Sequence, residues 1–296
     1  VLRAGRIYEI EGKPMKKILF ATTALVATAG VASAEVSISG SGTFGVYDSD
    51  TLANAVLKSS VDLTFTGTTE TDGGVKLTAI ANLENFGTSN TYVKDTDETS
   101  DTVIMVQSGG LTFAYGNTDG ALDKNTTELH RLPGIDFELW GVGVDNVDNG
   151  AIARLDYSIG DFAVSLSWAG TDEAFGIGAK YSADLGSAKV DFGAGYEDGN
   201  LGDSWAISAG TSFGAFSVRA NYGEGSEFLE RWGVSAQYSA NGLTVGANYH
   251  EVNNEDGYTV FGSYDLGGGA ALFAQHGEVA NAANEKRSAL GVRFSF

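Results

Sequence analysis

From Glu35 to the end of the chain, apolar and polar side chains alternate with a period of two. Val61, Leu63 and Phe65 alternate with Ser60, Asp62, Thr64 and Thr66. Phe162, Val164, Leu166 and Trp168 alternate with Ala163, Ser165 and Ser167, and Leu290, Val292, Phe294 and Phe296 with Gly291, Arg293 and Ser295. A strand turns successive side chains to opposite faces, so each segment predicts a strand with one apolar and one polar face. No run of about 18 apolar residues follows Glu35, so no spanning helix is predicted. A soluble β-sandwich would alternate too. Two features argue against it. The polar faces are rich in Gly and hydroxyls on nearly every strand, which suits a wet interior. The segments also reach the roughly 9–11 residues that a tilted membrane strand needs.

The connections alternate in length. Short ones fall at Gly109-Gly110, Gly160-Asp161, Gly214-Ala215, Asn241-Gly242 and Gly267-Gly268-Gly269. Longer polar stretches lie between them, at 48–56, 87–100, 117–150, 170–174, 197–203, 223–228, 251–257 and 277–287. Short turns on one side and long loops on the other form the bacterial barrel pattern. The spacing predicts an all-β fold, a sixteen-stranded antiparallel transmembrane barrel with both termini on the short-turn side. A barrel of that size keeps a water-filled interior. Alternation is weakest over 102–108, where Val103-Ile104-Met105-Val106 has none, and over 270–276. Aromatics such as Trp168, Tyr196, Trp205, Phe213, Phe216, Trp232 and Tyr249 sit near segment ends, where barrels meet the lipid–water interfaces.

Composition narrows the partners. The chain of 296 residues has 41 Gly, 2 Pro and no Cys, with a net charge of −20. Such acidity excludes nucleic acid, whose phosphates need a basic face. The absence of Cys excludes disulfides and thiolate-bound metal. Met15-Lys16-Lys17, the charge-free stretch Ile18–Val31 and Ala32-Ser33-Ala34 follow the order of a secretory signal peptide. Residues 1–14 therefore read as a mis-annotated upstream extension, 15–34 as a cleaved signal and 35–296 as the barrel. Residues 1–34 carry five basic and two acidic side chains, which leaves 13 basic and 36 acidic in 35–296, a net of −23.

The connection 117–150 is the longest and holds Pro133, the one Pro after the signal. A loop of that length without regular structure of its own is usually functional. It carries Asp119, Asp123, Glu128, Asp136 and Glu138, then Asp145 and Asp148, against Lys124 and Arg131. By parity Lys58, Lys76, Arg154, Lys180, Lys189, Arg219, Arg231 and Arg293 share the polar, inward faces. A charge facing lipid at midplane would cost about 2–4 kcal/mol, so parity is a sound guide to direction.

The mature region resembles the general porins of photosynthetic α-proteobacteria. The resemblance rests on Ala34-Glu35 at the signal cut, the start Glu35-Val36-Ser37-Ile38-Ser39-Gly40, the stretch Ser263-Tyr264-Asp265-Leu266-Gly267-Gly268-Gly269-Ala270 and the ending Leu290-Gly291-Val292-Arg293-Phe294-Ser295-Phe296. It implies an outer-membrane homotrimer in contact with lipid and lipopolysaccharide, passing ions and small polar solutes. It implies that the third external loop folds into each barrel and that its acids face wall bases. That assigns Asp119, Asp123, Glu128, Asp136 and Glu138 to the constriction, opposite some of Lys58, Lys76 and Arg154, with Lys180 and Arg231 also on the wall. Phe296 resembles the signal read by the barrel-assembly machinery. The net charge of −23 predicts cation preference.

Other readings are weaker. The oxygen-rich stretches 95–101 and 145–150 could hold calcium, but neither fits the full twelve-residue loop pattern. No resident cofactor or metal is expected otherwise. An enzyme would need a nucleophile, a base and an orienting group. His130, His250 and His276 fall on separate segments and no H-E-x-x-H occurs. A non-conducting adhesin or structural barrel would suit eight strands better than sixteen. A substrate-selective channel would carry a run of inward aromatics, whereas Tyr47 and Phe261 are among only a few here.

Overall fold

The computed structural model describes residues 34–83, 102–132, 151–170, 173–200, 202–226, 230–280 and 285–296. Sixteen strands follow in order: β1 (Glu35–Ser49), β2 (Val56–Glu70), β3 (Lys76–Leu83), β4 (Thr102–Ser108), β5 (Leu111–Gly116), β6 (Ile152–Ile159), β7 (Phe162–Ala169) and β8 (Ala174–Asp184). Then come β9 (Lys189–Gly199), β10 (Gly202–Phe213), β11 (Phe216–Gly225), β12 (Arg231–Ala240), β13 (Leu243–Val252), β14 (Glu255–Gly267), β15 (Ala270–Glu278) and β16 (Lys286–Ser295). Each pairs antiparallel with its sequence neighbours, and β1 also pairs with β16, which closes the barrel. One short helix, α1 (Ala121–Asn125), lies in the connection after β5.

Burial is inverted relative to a water-soluble fold. On β7 the apolar Phe162 and Leu166 are 60% and 43% exposed, while the polar Ser165 and Ser167 are 3% and 5% exposed. The apolar face is thus the outer one, turned to lipid, and the polar face lines the interior. Aromatics form two outer bands. At the long-loop end the direct cross-strand pairs are Trp168–Phe175, Tyr196–Trp205, Tyr222–Trp232 and Tyr249–Tyr258. Two residues beyond this band, on β9 to β14, the outward positions are Asp198, Asp203, Glu224, Glu230, Glu251 and Asp256. At the short-turn end Phe162 meets Tyr181, and Phe216 meets both Phe213 and Tyr238. Trp205 and Phe213 mark both bands on β10. Eight residues separate them, about 26 Å along a strand and about 20 Å in height at barrel tilt.

The turns explain the register. Asn241 and Gly242 both have positive φ (52° and 79°), the two-residue geometry whose twist matches the flanking strands. Asn253 and Asn254 repeat it at the other end (53° and 65°), where the sequence suggests a seven-residue loop at 251–257. Pairing here outruns the apolar pattern, because the backbone ladder needs no apolar side chain once it rises above lipid. Only residues 200–201 separate β9 from β10 for the same reason. β4 lacks alternation because both its faces are apolar. Val103 lies opposite Ile80 on the inner face, while Ile104 is exposed outside.

The seam is closed at both ends. Gly40 N–H donates to the Phe296 carbonyl at 2.8 Å and receives the reverse bond at 2.9 Å. The rings of Phe294 and Phe296 cover Gly42 and Gly40, where an added Cβ would meet ring atoms at 2.5 and 2.7 Å. At the far end Lys286 N–H donates to Asp50 and Thr51 donates to Glu285. The hydrogen bond from Arg287 holds the Glu285 carboxyl below the usual carboxylate range.

Ala209, outward and midway between Trp205 and Phe213, and the inward Ser60 make a matched pair of sites. Ala209→Arg is expected to lower stability by about 2–4 kcal/mol. Ser60→Arg should change it by less than about 0.5 kcal/mol, the range of ordinary surface changes. Urea unfolding in lipid vesicles measures both.

Candidate channel constriction

The connection after β5 turns into the barrel and follows its wall. Arg154, inward on β6 and only 5% exposed, is its first anchor. Its Nη1 donates to Thr118 Oγ1 at 2.9 Å and to the carbonyl of Asp119. Its Nε pairs with Asp156 on the same strand at 3.0 Å. Arg154 therefore meets the main chain of Asp119, and its carboxylate partner is Asp156. The resemblance sets the loop acids opposite some of Lys58, Lys76 and Arg154; the carboxylate that Arg154 holds is Asp156, fixed two residues away on the same face, and its bonds to the loop go to Thr118 and the Asp119 carbonyl.

α1 then lies across β7, β8 and β9. The expectation of a loop without regular structure is corrected by this single turn. The wall beneath α1 is bare. Gly178 and Gly195 are directly paired, and Gly176 and Gly193 lie beside them on the inner faces of β8 and β9. A Cβ at Gly178 or Gly193 would stand 2.0 Å from the carbonyl oxygens of Ala121 or Asn125, and one at Gly195 2.5 Å from Leu122 Cα. Only glycine lets main chain approach main chain this closely. Ala121 and Leu122 are wholly buried in that contact.

Wall hydroxyls take up the loop's amides. Ala121 N–H donates to Ser167 Oγ (2.8 Å), Thr127 N–H to Ser208 Oγ (2.8 Å) and His130 N–H to Ser235 Oγ (2.9 Å). Thr127 Oγ1 donates to Asp191 at 2.6 Å, and Arg219 donates to the Glu128 carbonyl at 3.2 Å. Leu129 is buried over Gly233. Asn248 donates to the His130 carbonyl at 2.9 Å and also contacts His250 Nδ1, so it links two histidines that lie far apart in sequence. Leu132 ends the described stretch in a buried cluster with Phe261, Phe273 and Ala289 on β14, β15 and β16. Residues 118–132 thus trace an arc along the inner wall from β6 to β16.

The charged side chains lie on the other side of this arc. Asp119, Lys124 and Arg131 are exposed, and Asp123 and Glu128 half-buried. Glu128 pairs with Arg131 of the same loop at 2.9 Å. Lys58 and Lys76 are inward on β2 and β3, outside the arc, with Lys58 Nζ 3.9 Å from the centre of the Tyr47 ring. Lys180 is opposite Gly193, at the edge of the glycine bed, and Arg231 is inward near the loop end of β12. Asp136, Glu138 and Pro133, and both calcium-like stretches, lie outside the described residues. The glycines, serines and Asp191 that seat the loop escaped the sequence reading. Inward glycine and serine recur along the whole wall, so only the pairing of Gly178 with Gly195 under the loop sets these positions apart.

A family model described as "Gram-negative porin" matches residues 21–284. The chain belongs to the Gram-negative porin family. Members are channel proteins of the outer membrane, and the inverted burial fits that setting. Solved structures share the fold. A variant of the Rhodopseudomonas blastica porin with two added tryptophans aligns at 21% identity and a TM-score of 0.70, covering 88% of this chain and all of the other. A variant of the same porin in which two basic residues are replaced by alanine gives 20% identity, the same coverage and a TM-score of 0.70. A structure titled for the asymmetric conductivity of engineered proteins gives 21%, the same coverage and 0.68. No curated protein sequence matches the chain. The sequence also contains one G-x-S-x-G spacing, Gly210-Thr211-Ser212-Phe213-Gly214, against the expectation that none occurs; it lies on β10 and its hairpin turn, not on a strand-to-helix elbow.

Gly178→Leu should displace α1 while the porin barrel still forms, because the strand itself accepts a side chain there. Amide protection at Ala121 and Leu122 should then fall at least tenfold, with strand content by circular dichroism unchanged. Hydrogen exchange read by mass spectrometry checks this.

Proposed function

We propose that this porin is a general diffusion channel, passing ions and small hydrophilic solutes passively through a water-filled pore narrowed by the inner loop. The observation that carries the reading is the two-sided loop. Its main chain and small residues are spent on the wall, and its charges are left toward the water. Asp119, Asp123 and Glu128 then form the acidic side of the constriction, joined by Asp136 and Glu138. Lys58 faces them from the opposite wall, with Arg231 placed higher, Lys180 lower and Lys76 at the short-turn end of β3. Arg154 acts as an anchor under the loop rather than as a pore-lining base. A net charge of −23 on the mature chain supports cation preference, since acidic mouths concentrate cations. The inward aromatics do not favour a sugar-selective channel. Tyr47 is covered by Lys58, and Phe261 and Phe273 are covered by Leu132.

The outer face supports a homotrimer. The aromatic band on β7 to β14 gives way at the same end of β15, β16, β1 and β2 to His276, Ser288, Val46 and Leu57. Aromatic belts mark contact with lipid headgroups, so their loss on adjoining strands suits contact with another subunit. The remaining outer face meets lipid and lipopolysaccharide. Export by the signal at 15–34 and recognition of Phe296 by the assembly machinery complete the reading.

Planar-bilayer recording of the purified protein tests it. Insertion should give three equal conductance steps, and a salt gradient should give a reversal potential on the cation side. Asp119→Asn with Asp123→Asn should lower the cation-to-anion permeability ratio about twofold or more. The preference should also weaken at about 1 M salt, where the screening length is about 3 Å. A silent bilayer would favour a structural barrel, and a reversal potential on the chloride side would refute the charge assignment.

A further inference from the structure

His130 engages the wall through every polar atom it has. Its N–H and its Nδ1 both meet Ser235 Oγ at 2.9 Å, its Nε2 meets Ser217 Oγ at 2.9 Å, and its carbonyl receives the 2.9 Å bond from Asn248. Three strands, β11, β12 and β13, thus hold one loop residue that is only 4% exposed. The preceding Leu129 is sunk over Gly233, so the chain on that side is fixed as well. We propose that His130 is the positioning residue that latches the inner loop to the barrel wall, and that protonation of its ring releases the latch.

The groups around the ring set the direction. On β11 they are Ser217 and Arg219, on β12 Ser235 with Arg231 further up the strand, and on β13 Asn248 and His250. In the loop they are Glu128 and Arg131, which pair with each other. Arg219 is held close by its bond to the Glu128 carbonyl, so a cationic imidazole would be buried beside a guanidinium. Burial, with Arg219 as the second cause, lowers the imidazole pKa from 6.5 to about 4. A released His130 would titrate near its ordinary value of about 6.5. The docked state thus binds the proton less tightly than the released state. Docking is at full strength above about pH 6.5 and weakens as the pH falls toward 4. Across that window the docking equilibrium should shift by on the order of a hundredfold. A loop freed from the wall has only the lumen to enter, so release appears as transient closure.

This inference rests on the reading of a loop-narrowed pore, and its test separates the two. Single-channel recordings of the wild type and of His130→Gln are compared from pH 7 to pH 4. The wild type should show closures that become at least tenfold more frequent across this range. His130→Gln, which keeps a neutral hydrogen-bonding side chain, should lose that rise. Arg219→Gln should make the rise smaller, because the docked imidazole then lies closer to its released value and less docking strength is lost as the pH falls. An equal rise in wild type and His130→Gln overturns the latch while leaving the pore intact, whereas no conductance at any pH overturns the pore. A second readout does not depend on conduction or on the variants folding. Ring-carbon NMR of the three mature-chain histidines in detergent should show one that titrates near pH 4, and none below about pH 6 overturns the proposal.

Discussion

Everything in this porin depends on leaving no backbone amide unpaired inside the lipid. An unmet N–H or C=O costs several kcal/mol in hydrocarbon, and an open sheet always has two rows of them. Pairing β1 with β16 removes both rows at once. Closure also divides the molecule into an outside and an inside. Period-two side chains then fall apart into a lipid coat and a polar lining. Short turns, aromatic bands and the flat glycines under Phe294 and Phe296 all serve that one ladder.

The loop inside the barrel obeys the same rule in another solvent. Its amides face a wall rather than water, and each must be met there. Ser167, Ser208 and Ser235 meet three of them, one hydroxyl per strand, and Asn248 and Arg219 meet carbonyls. Each such bond is worth about 0.5–1.5 kcal/mol net, so the arc is held by their sum, which a charge buried at His130 would weaken. The glycine bed lets α1 come close enough for the bonds to form together. Serine suits this wall because its hydroxyl accepts from the loop and needs no counter-charge.

The fold was legible because its signal is repeated sixteen times. Weak segments such as 102–108 and 270–276 were recovered by the pattern around them, and the structure explains the first by its apolar inner face. Ends of strands were less legible. Residues 251–257 look like a loop because they are polar, yet pairing continues to Val252 and resumes at Glu255. The direction of the charged side chains followed from parity, as at Lys58, Lys76 and Arg154. Their partners did not. Asp156 takes Arg154 and Arg131 takes Glu128, because a neighbour already held within reach wins over one that must be brought across a lumen. The seating of the loop was hidden for a different reason. Glycine and serine are so common in such walls that Gly178 or Ser208 gains meaning only when another chain segment rests against it.

The loop is secured chiefly by main-chain atoms, while its acids and bases project from the far side. Position and charge are therefore set by different residues. Asp119, Asp123 and Lys124 can be exchanged for other side chains over evolutionary time without moving the segment that carries them. One scaffold can in this way drift between permeant ions of opposite sign, much as an interchangeable nozzle changes a flow while the pipe stays as it was.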